Sequence, residues 1–446
     1  MKPRLGRLPK GICLLAMVML MAGLLAGCAP AATPTAVPTK AAAPAATTAP
    51  AAVSTSAATA VATKPAAAPT TAAAAATPSG APVKIGFITP LSGAQASYGA
   101  LERIAVTMAV EDTNASGGIN GSPLQLITDD SPFDPKQAVT SVRKQSETDK
   151  VVGIVGPYSS GEMDVAAPLS NELKLVVVSG SSTKVGVAEA NRPYSFQMNV
   201  PDAVAQPPTL AGYKKLYPNV KNVVLVGDTK NAVTAAMMVD IFPKQLPPAG
   251  LTVIDTIAFD TGVTDFSAIV TKIKNDKPDG IVLAALIADA LTLAKELQKQ
   301  QVTAPVVTDA HPIGGPIVEL AGGSVDGWVM PSLFDWQNPD PKVAAWVKRY
   351  YDKAATDSAV NPKPNHLVVE ASYYDTTMVM VDSLRKGGVK ATTDLATARK
   401  AVLDGFTNLK GYQGIGGVLN MLPSGNADRV APPPFVVEKG TYKVIR

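Results

Sequence analysis

The stretch VVGIVGPYSSGE, Val151 to Glu162, changes character in its middle. Its first half is Val, Ile and Gly, the composition of a short strand buried on both faces. Its second half is a Gly-Pro turn followed by Tyr158, Ser159, Ser160 and another glycine. From Met163 the segment MDVAAPLSNEL then reads as a helix, in spite of Pro168. A buried strand that hands small hydroxyls to a helix start is what a ligand edge of an α/β sheet looks like. Ligands of such sheets sit beyond the carboxyl ends of the strands, where helix N-termini offer unpaired N–H groups.

The same alternation extends on both sides. VKIGFIT, from Val83, reads as a strand. Leu101, Ile104, Ala105, Met108 and Ala109 share one helical face within Tyr98–Asn114. LQLIT is the next strand, and PKQAVTSVRKQSE a helix with Pro135 first and Asp134 as its N-cap. LVVVS is a fourth strand. Beyond Asp202, NVVLVGD, LTVIDTIAF, GIVLAAL and APVVTD read as strands, separated by the helices VTAAMMVDIFPKQL (in most of its length), DFSAIVTKIKN and DALTLAKELQKQ. This spacing predicts parallel sheets covered on both faces. The units are too many for one small sheet, and a break near Pro201 divides them into two α/β lobes.

A second hydroxyl cluster follows the fourth strand: VVVSGSSTK, with Ser181, Ser182 and Thr183. Either cluster alone is what plain helix capping requires. Two clusters after neighbouring strands point to a shared anion site of the kind that holds a carboxylate.

The chain begins differently. Lys2, Arg4, Arg7 and Lys10 precede a nearly apolar run from Gly11 to Leu25, which closes on LAGC. That is the pattern of a secretory signal, and the run is short for a spanning helix. Its ending resembles a bacterial lipobox, with Leu25, Ala26 and Gly27 leading to Cys28. The resemblance implies that Cys28 is acylated and becomes the first mature residue, anchored to the membrane by its lipid. The chain's net charge is +4, and residues 1–27 carry four cations and no acid, so the mature protein is neutral. No basic excess remains to favour a nucleic-acid partner. The only other cysteine, Cys13, lies in the leader, which leaves no disulfide and no thiolate metal site. Ala29 to Pro82 is almost entirely Ala, Pro, Thr, Ser and Val, with no aromatic residue and no acid. Such a composition predicts a disordered or semi-extended tether.

From Val83 onward the chain resembles the substrate-binding proteins of branched-chain amino acid ABC transporters, the leucine/isoleucine/valine-binding family of type I periplasmic binding proteins. The resemblance rests on KIGFITPLSGAQASYG, AVEDTNASGGINGSPLQLITDDSPFDPKQAV, VVGIVGPYSSGEMDVAAP and VVVSGSST, and later on EASYYDTTMVMVDSLRKGG and GIGGVLNMLPSGNADR. It implies a fold of two Rossmann-like lobes with parallel sheets, joined by three strands that act as a hinge and closing on a small ligand. The implied organisation is a signal peptide at 1–27, a lipidated Cys28 and tether over 28–82, the first part of lobe one at 83–202, and the main part of lobe two at 203–331. Residues 332–446 then hold the rest of lobe one and a C-terminal return to lobe two. Residue by residue, the family's carboxylate-binding hydroxyl matches Ser160, with Ser159 beside it. Contacts from the next loop match Ser181 and Thr183, with Ser182 between them, and an aromatic contact matches Tyr98.

The second lobe departs from the pattern. Where the amino-acid binders place an acid for the ligand ammonium, this chain has Ala310, flanked by Asp309 and His311. Two family tyrosines align near Ala232 and Leu286. A buried ammonium requires a paired carboxylate. Either Asp309 or Asp202 supplies it, or the ligand has no amine and is an amide, an aromatic acid or another small carboxylate.

Motifs of catalysis are absent. There is no HExxH, no P-loop, no dinucleotide fingerprint at the first strand and no GxSxG elbow. His311 and His366 are the only histidines. The expectation is therefore a binding protein without cofactor or metal, held outside the cytoplasm by its lipid, with a small-molecule ligand and an ABC permease as partners and no nucleic acid. A ligand sensor for another membrane partner, or a surface lipoprotein without ligand, are the alternatives.

Overall fold

The computed structural model describes residues 77–446 except residue 315. The leader, Cys28 and the tether up to residue 76 lie outside the described residues. The last residues of the expected tether already belong to the body, since the Ser79 N–H donates to the Gly121 carbonyl at 3.1 Å.

The chain runs β1 (Val83–Thr89), α1 (Ala96–Ala115), β2 (Leu124–Asp130), α2 (Pro135–Glu147), β3 (Ile154–Val155), α3 (Ser160–Leu173), β4 (Val177–Ser179), α4 (Val187–Ala190) and β5 (Ser195–Gln197). These strands form one parallel sheet in the order β2-β1-β3-β4-β5. The chain then leaves it for α5 (Asp202–Leu216), β6 (Asn222–Asp228), α6 (Ala232–Ala236), α7 (Phe242–Gln245), β7 (Thr252–Phe259), α8 (Ser267–Asp276), β8 (Gly280–Ala284), α9 (Ile287–Lys299), β9 (Val306–Thr308), α10 (Ile317–Ala321) and β10 (Val329–Met330). It returns to the first lobe through α11 (Pro341–Thr356), α12 (Glu370–Lys386) and α13 (Leu395–Thr407), with α11 and α12 against α1 and α13 against α12. A small antiparallel sheet follows, β11 (Tyr412–Gly414), β12 (Gly417–Met421) and β13 (Ala427–Asp428). The chain ends as β14 (Phe435–Glu438) and β15 (Thr441–Val444), which extend the second sheet. That sheet has the order β15-β14-β10-β9-β8-β6-β7, with only β14 and β15 antiparallel. Three passages of chain thus connect two sheets.

The strands are apolar because both of their faces are covered. Ile281, Val282 and Leu283 of β8 are wholly buried, each contributing about 1.5–3 kcal/mol by burial. The helix starts follow their caps: the Asp134 carboxylate accepts the Lys136 N–H at 2.8 Å and Pro135 opens α2. The helix expected over VTAAMMVDIFPKQL is broken by a π turn at Met237–Ile241, ahead of Pro243, whose missing N–H interrupts the regular ladder. Within VVGIV the strand proper is Ile154–Val155, while the Val152 N–H already bonds the Lys84 carbonyl of β1 and the Val151 N–H turns to the Gln145 carbonyl at the end of α2. Gly156 then takes φ +102°, and a β-carbon there would stand 2.2 Å from the Ile88 carbonyl oxygen. Only glycine lets β3 pass that close to β1 before the turn.

Both sheets place a switch in strand order where a ligand would sit. In the first, the chain steps from β1 outward to β2 and then back past β1 to β3. In the second, it steps from β6 to β7 and back to β8. The loops after β1, β3, β6 and β8 therefore open at crevices beyond the carboxyl ends of their strands.

Candidate functional site

A cavity lies where those loops meet. The first lobe contributes Tyr98, Phe133, Tyr158 and the two hydroxyl clusters, the second Asn231, Val233, Leu286, Ala310 and His311, and the returning segment Leu333, Val368 and Val369. Its volume is about 40 Å³ as the space open to the centre of a water-sized sphere, room for roughly three waters at ~10–15 Å³ each. The lobes touch across it: the Tyr98 hydroxyl donates to the His311 carbonyl at 3.2 Å. Burial pushes the Tyr98 pKa up, so this donor keeps its proton.

The hydroxyl clusters divide into structural and available groups. Ser159 caps α3 in a reciprocal box. Its Oγ accepts the Glu162 N–H at 3.2 Å and donates to Glu162 Oε2 at 2.7 Å, while its own N–H donates to the same oxygen at 3.0 Å. The Ser181 hydroxyl is likewise engaged, with the Tyr158 carbonyl at 2.6 Å and the Tyr373 hydroxyl at 2.8 Å. Ser179, which needed no place in a ligand site, organises the loop by accepting the N–H groups of Ser181 and Ser182.

Ser160 and Ser182 differ from these. Their hydroxyls share one hydrogen bond at 2.9 Å, Ser182 also accepts from Gln197 Nε2 at 3.0 Å, and Ser160 accepts the Lys184 N–H at 3.4 Å. Two hydroxyls carry two protons and their mutual bond uses one. The other is left for an acceptor in the cavity. The N–H groups of Ser160 and Gly161 stand in the first turn of α3, where a helix offers them no partner. The Thr183 hydroxyl completes the cradle: it is buried and borders the cavity, and it makes no well-formed hydrogen bond although the Asp202 carboxylate lies beside it. Each of these groups can donate a hydrogen bond into the cavity.

The second lobe presents His311. Its Nδ1 lies 2.9 Å from Asp309 Oδ2, and Asp309 is fully buried. Burial by itself would push the imidazole pKa down, but the Asp309 carboxylate, with Asp202 further off, outweighs burial and holds it at about 9. Asp309 and Asp202 do not border the cavity; both lie behind its wall. Asp202 opens α5, is 1% exposed and keeps Oδ1 unpartnered. Burial raises its pKa, while His311 and the nearby Thr183 hydroxyl pull it back. The pairing of two acids with one imidazole explains why carboxylates expected at the ligand stand instead behind it. Leu286 borders the cavity, and Ala232 stands between Asn231 and Val233, which both border it.

Of the aromatic residues at the cavity, the sequence points to Tyr98, but not to Phe133 or Tyr158 as site residues. Tyr158 and Phe133 pack with Tyr98 at ring-centroid distances of 5.2 and 6.0 Å, and only Tyr158 had a signal, its place between the Gly-Pro turn and Ser159. Val368 and Val369 come from a distant segment, which Glu370 holds by accepting the Val368 N–H. Below the aromatic floor lies a second buried acid, Glu102, taking the Thr89 hydroxyl at 3.3 Å. Burial lifts Glu370 to about 7, and burial with repulsion from Glu370 lifts Glu102 well above the carboxylate range.

With this geometry, the chain belongs to the periplasmic binding protein family, whose model matches residues 82–434. Its fold is that of the type I periplasmic binding proteins. An amino acid binding protein of Pseudomonas aeruginosa is 29% identical over 244 residues, 54% of this chain and 64% of its own length, so the matched stretch spans a little under two thirds of that relative. The Leu/Ile/Val-binding protein BraC3 of Rhizobium johnstonii is 29% identical over 285 residues, covering 59% of this chain and 71% of that one. Among solved structures, the leucine binding protein LivK of Thermotoga maritima superposes with a TM-score of 0.69 at 20% identity, over 81% of this chain and 97% of its own. The LivJ protein of Streptococcus pneumoniae in complex with isoleucine gives 0.67 at 22% identity, over 81% and 98%. Among the described residues, no helix is long and apolar enough to cross a membrane.

Proposed function

We propose that this protein is an extracytoplasmic, lipid-anchored solute-binding protein that captures a small carboxylate-bearing ligand between its lobes and delivers it to an ABC permease. The observation that carries this reading is the donor wall of Ser160, Ser182, Thr183 and the start of α3. It holds a spare hydroxyl proton and the buried Thr183 hydroxyl, which an acceptor in the cavity can engage in competition with the Asp202 carboxylate. Amino acids, amides and other small carboxylates all bring such an acceptor. Relatives named for leucine, isoleucine and valine support transport as the setting. The side chains at the cavity serve as ligand hydroxyls rather than a catalytic set, because neither serine cluster meets a histidine base: His311 is bonded to Asp309 and His366 Nε2 to the Ile313 carbonyl.

The test is a thermal-shift screen of the mature protein against amino acids, amides and small organic acids, since a ligand of the folded state raises the melting temperature by mass action. Ser160→Ala deletes one hydroxyl and adds no bulk. The acid that stabilises the wild type is expected to bind this variant about ten- to a hundredfold more weakly, the loss of one charge-assisted bond of roughly 1.5–3 kcal/mol. Equal affinity for both proteins would refute the cleft assignment.

A further inference from the structure

The two walls of the cavity have the same polarity. On the first lobe, the α3 N–H groups, the spare proton of the Ser160–Ser182 pair and the Thr183 hydroxyl all donate. On the second, Asn231 spends its Oδ1 as a cap for α6, accepting the Val233 N–H at 3.0 Å, which leaves the Nδ2 protons to the cavity side. His311 gives Nδ1–H to Asp309 Oδ2, so its Nε2 is the ring atom left for the cavity. The carboxylates that could receive a cation, Asp202 and Asp309, both sit behind the wall, and Asp309 is already occupied by the imidazole.

We infer that the ligand joins its carboxylate to a second hydrogen-bond acceptor, a carbonyl or hydroxyl oxygen or a second carboxylate, which takes the His311 Nε2 and Asn231 Nδ2 protons, and that it carries no ammonium at that end. This rests on the reading of the cavity as a small-carboxylate site. Two buried acids beside His311 hold the ring as imidazolium at neutral pH, so Nε2 is a charged donor. An ammonium placed there meets a like charge and finds no carboxylate, and both terms disfavour it in a buried site. An oxygen acceptor meets a charge-assisted donor instead, among the stronger hydrogen bonds a protein makes. His311 is on this argument the residue that selects against amino acids, and the small cavity and apolar Leu286, Val233 and Val368 limit the rest of the ligand to a compact body.

The experiment is isothermal titration of the full mature chain with two matched series. One is alanine, lactate and pyruvate; the other is leucine, 2-hydroxy-4-methylpentanoate and 2-oxo-4-methylpentanoate. Within each series only the group next to the carboxylate changes. In at least one series the oxo or hydroxy acid is expected to bind at least tenfold more tightly than the amino acid. His311→Gln, which keeps a donor but not the charge, is expected to narrow that ratio. The inference is overturned if alanine or leucine binds as tightly as its oxygen counterparts in every series that binds; the carboxylate site itself then stands if Ser160→Ala weakens that binding. Binding that Ser160→Ala leaves unchanged, or no binding by any of the six acids, overturns the carboxylate reading and the inference together. The wild-type ranking decides the matter even if the variant folds poorly.

Discussion

Thr183 separates a ligand group from a structural one by the sign of two measurements. Its hydroxyl is buried and makes no well-formed hydrogen bond, although the Asp202 carboxylate lies beside it. Such a group carries an uncompensated desolvation cost of about 1–3 kcal/mol. Thr183→Val removes the hydroxyl at nearly constant volume, so the ligand-free protein should become more stable by about that amount. At about 2.1 cal/mol/K of unfolding entropy per residue over some 370 described residues, 1 kcal/mol is worth ~1.3 °C, and the melting temperature should rise by ~1–4 °C. Binding should move the other way. The lost bond to the ligand carboxylate is worth roughly 1.5–3 kcal/mol, about ten- to a hundredfold in affinity. Calorimetry of the ligand-free variant and titration with the tightest acid of the two series give both numbers. A structural hydroxyl produces a lower melting temperature and unchanged affinity, and that pair of results would refute the reasoning. The Asp202 carboxylate beside Thr183 also loses that hydroxyl's influence in the variant, so Asp202→Asn titrated with the same acid is the control that separates its contribution from the hydroxyl's.

Three further outcomes follow from the same structure. Glu370 titrates at about 7 when folded against 4.5 for the free side chain, so the folded state holds its proton more tightly; this stabilisation is complete below about pH 4.5 and is lost as pH rises through 7, on the order of 3 kcal/mol. Thermal unfolding between pH 5 and 7.5 should show the decline, and Glu370→Gln should lessen it, with Glu102 and, above about pH 6.5, His311 keeping slopes of the same sign. Gly156→Ala places a β-carbon 2.2 Å from the Ile88 carbonyl at φ +102°, and urea denaturation should report a loss of more than about 2 kcal/mol; a loss under 0.5 kcal/mol would show that β3 can shift. On the proposed reading of the lipobox resemblance, Cys28→Ala should release the mature body from membranes or block its processing, as fractionation and mass measurement will show; unchanged membrane retention and processing would remove the anchor from the reading.

The amino-acid sequence alone carried the architecture. Strand and helix periods are local properties, set by which faces each segment must bury, so VKIGFIT, NVVLVGD and GIVLAAL declared parallel strands without any knowledge of their neighbours. The hydroxyl clusters were legible for the same reason: the composition of a strand-to-helix turn reports what its few residues can bond to. The tertiary structure decided which of those hydroxyls are free. Ser159 and Ser181 look no different from Ser160 and Ser182 in the chain, yet the first two are consumed by Glu162 and by Tyr158 and Tyr373. Glu162 stands only three residues on, at the spacing of a capping box, but Tyr158 and Tyr373 lie 23 and 192 residues from Ser181, beyond any local pattern. It also decided the character of the second wall. Asp309 and His311 are two residues apart, and sequence leaves open which of them faces the ligand. Burial answers it, because a carboxylate with no exposure needs a cationic partner, and the imidazole that neutralises Asp309 is the group turned to the cavity.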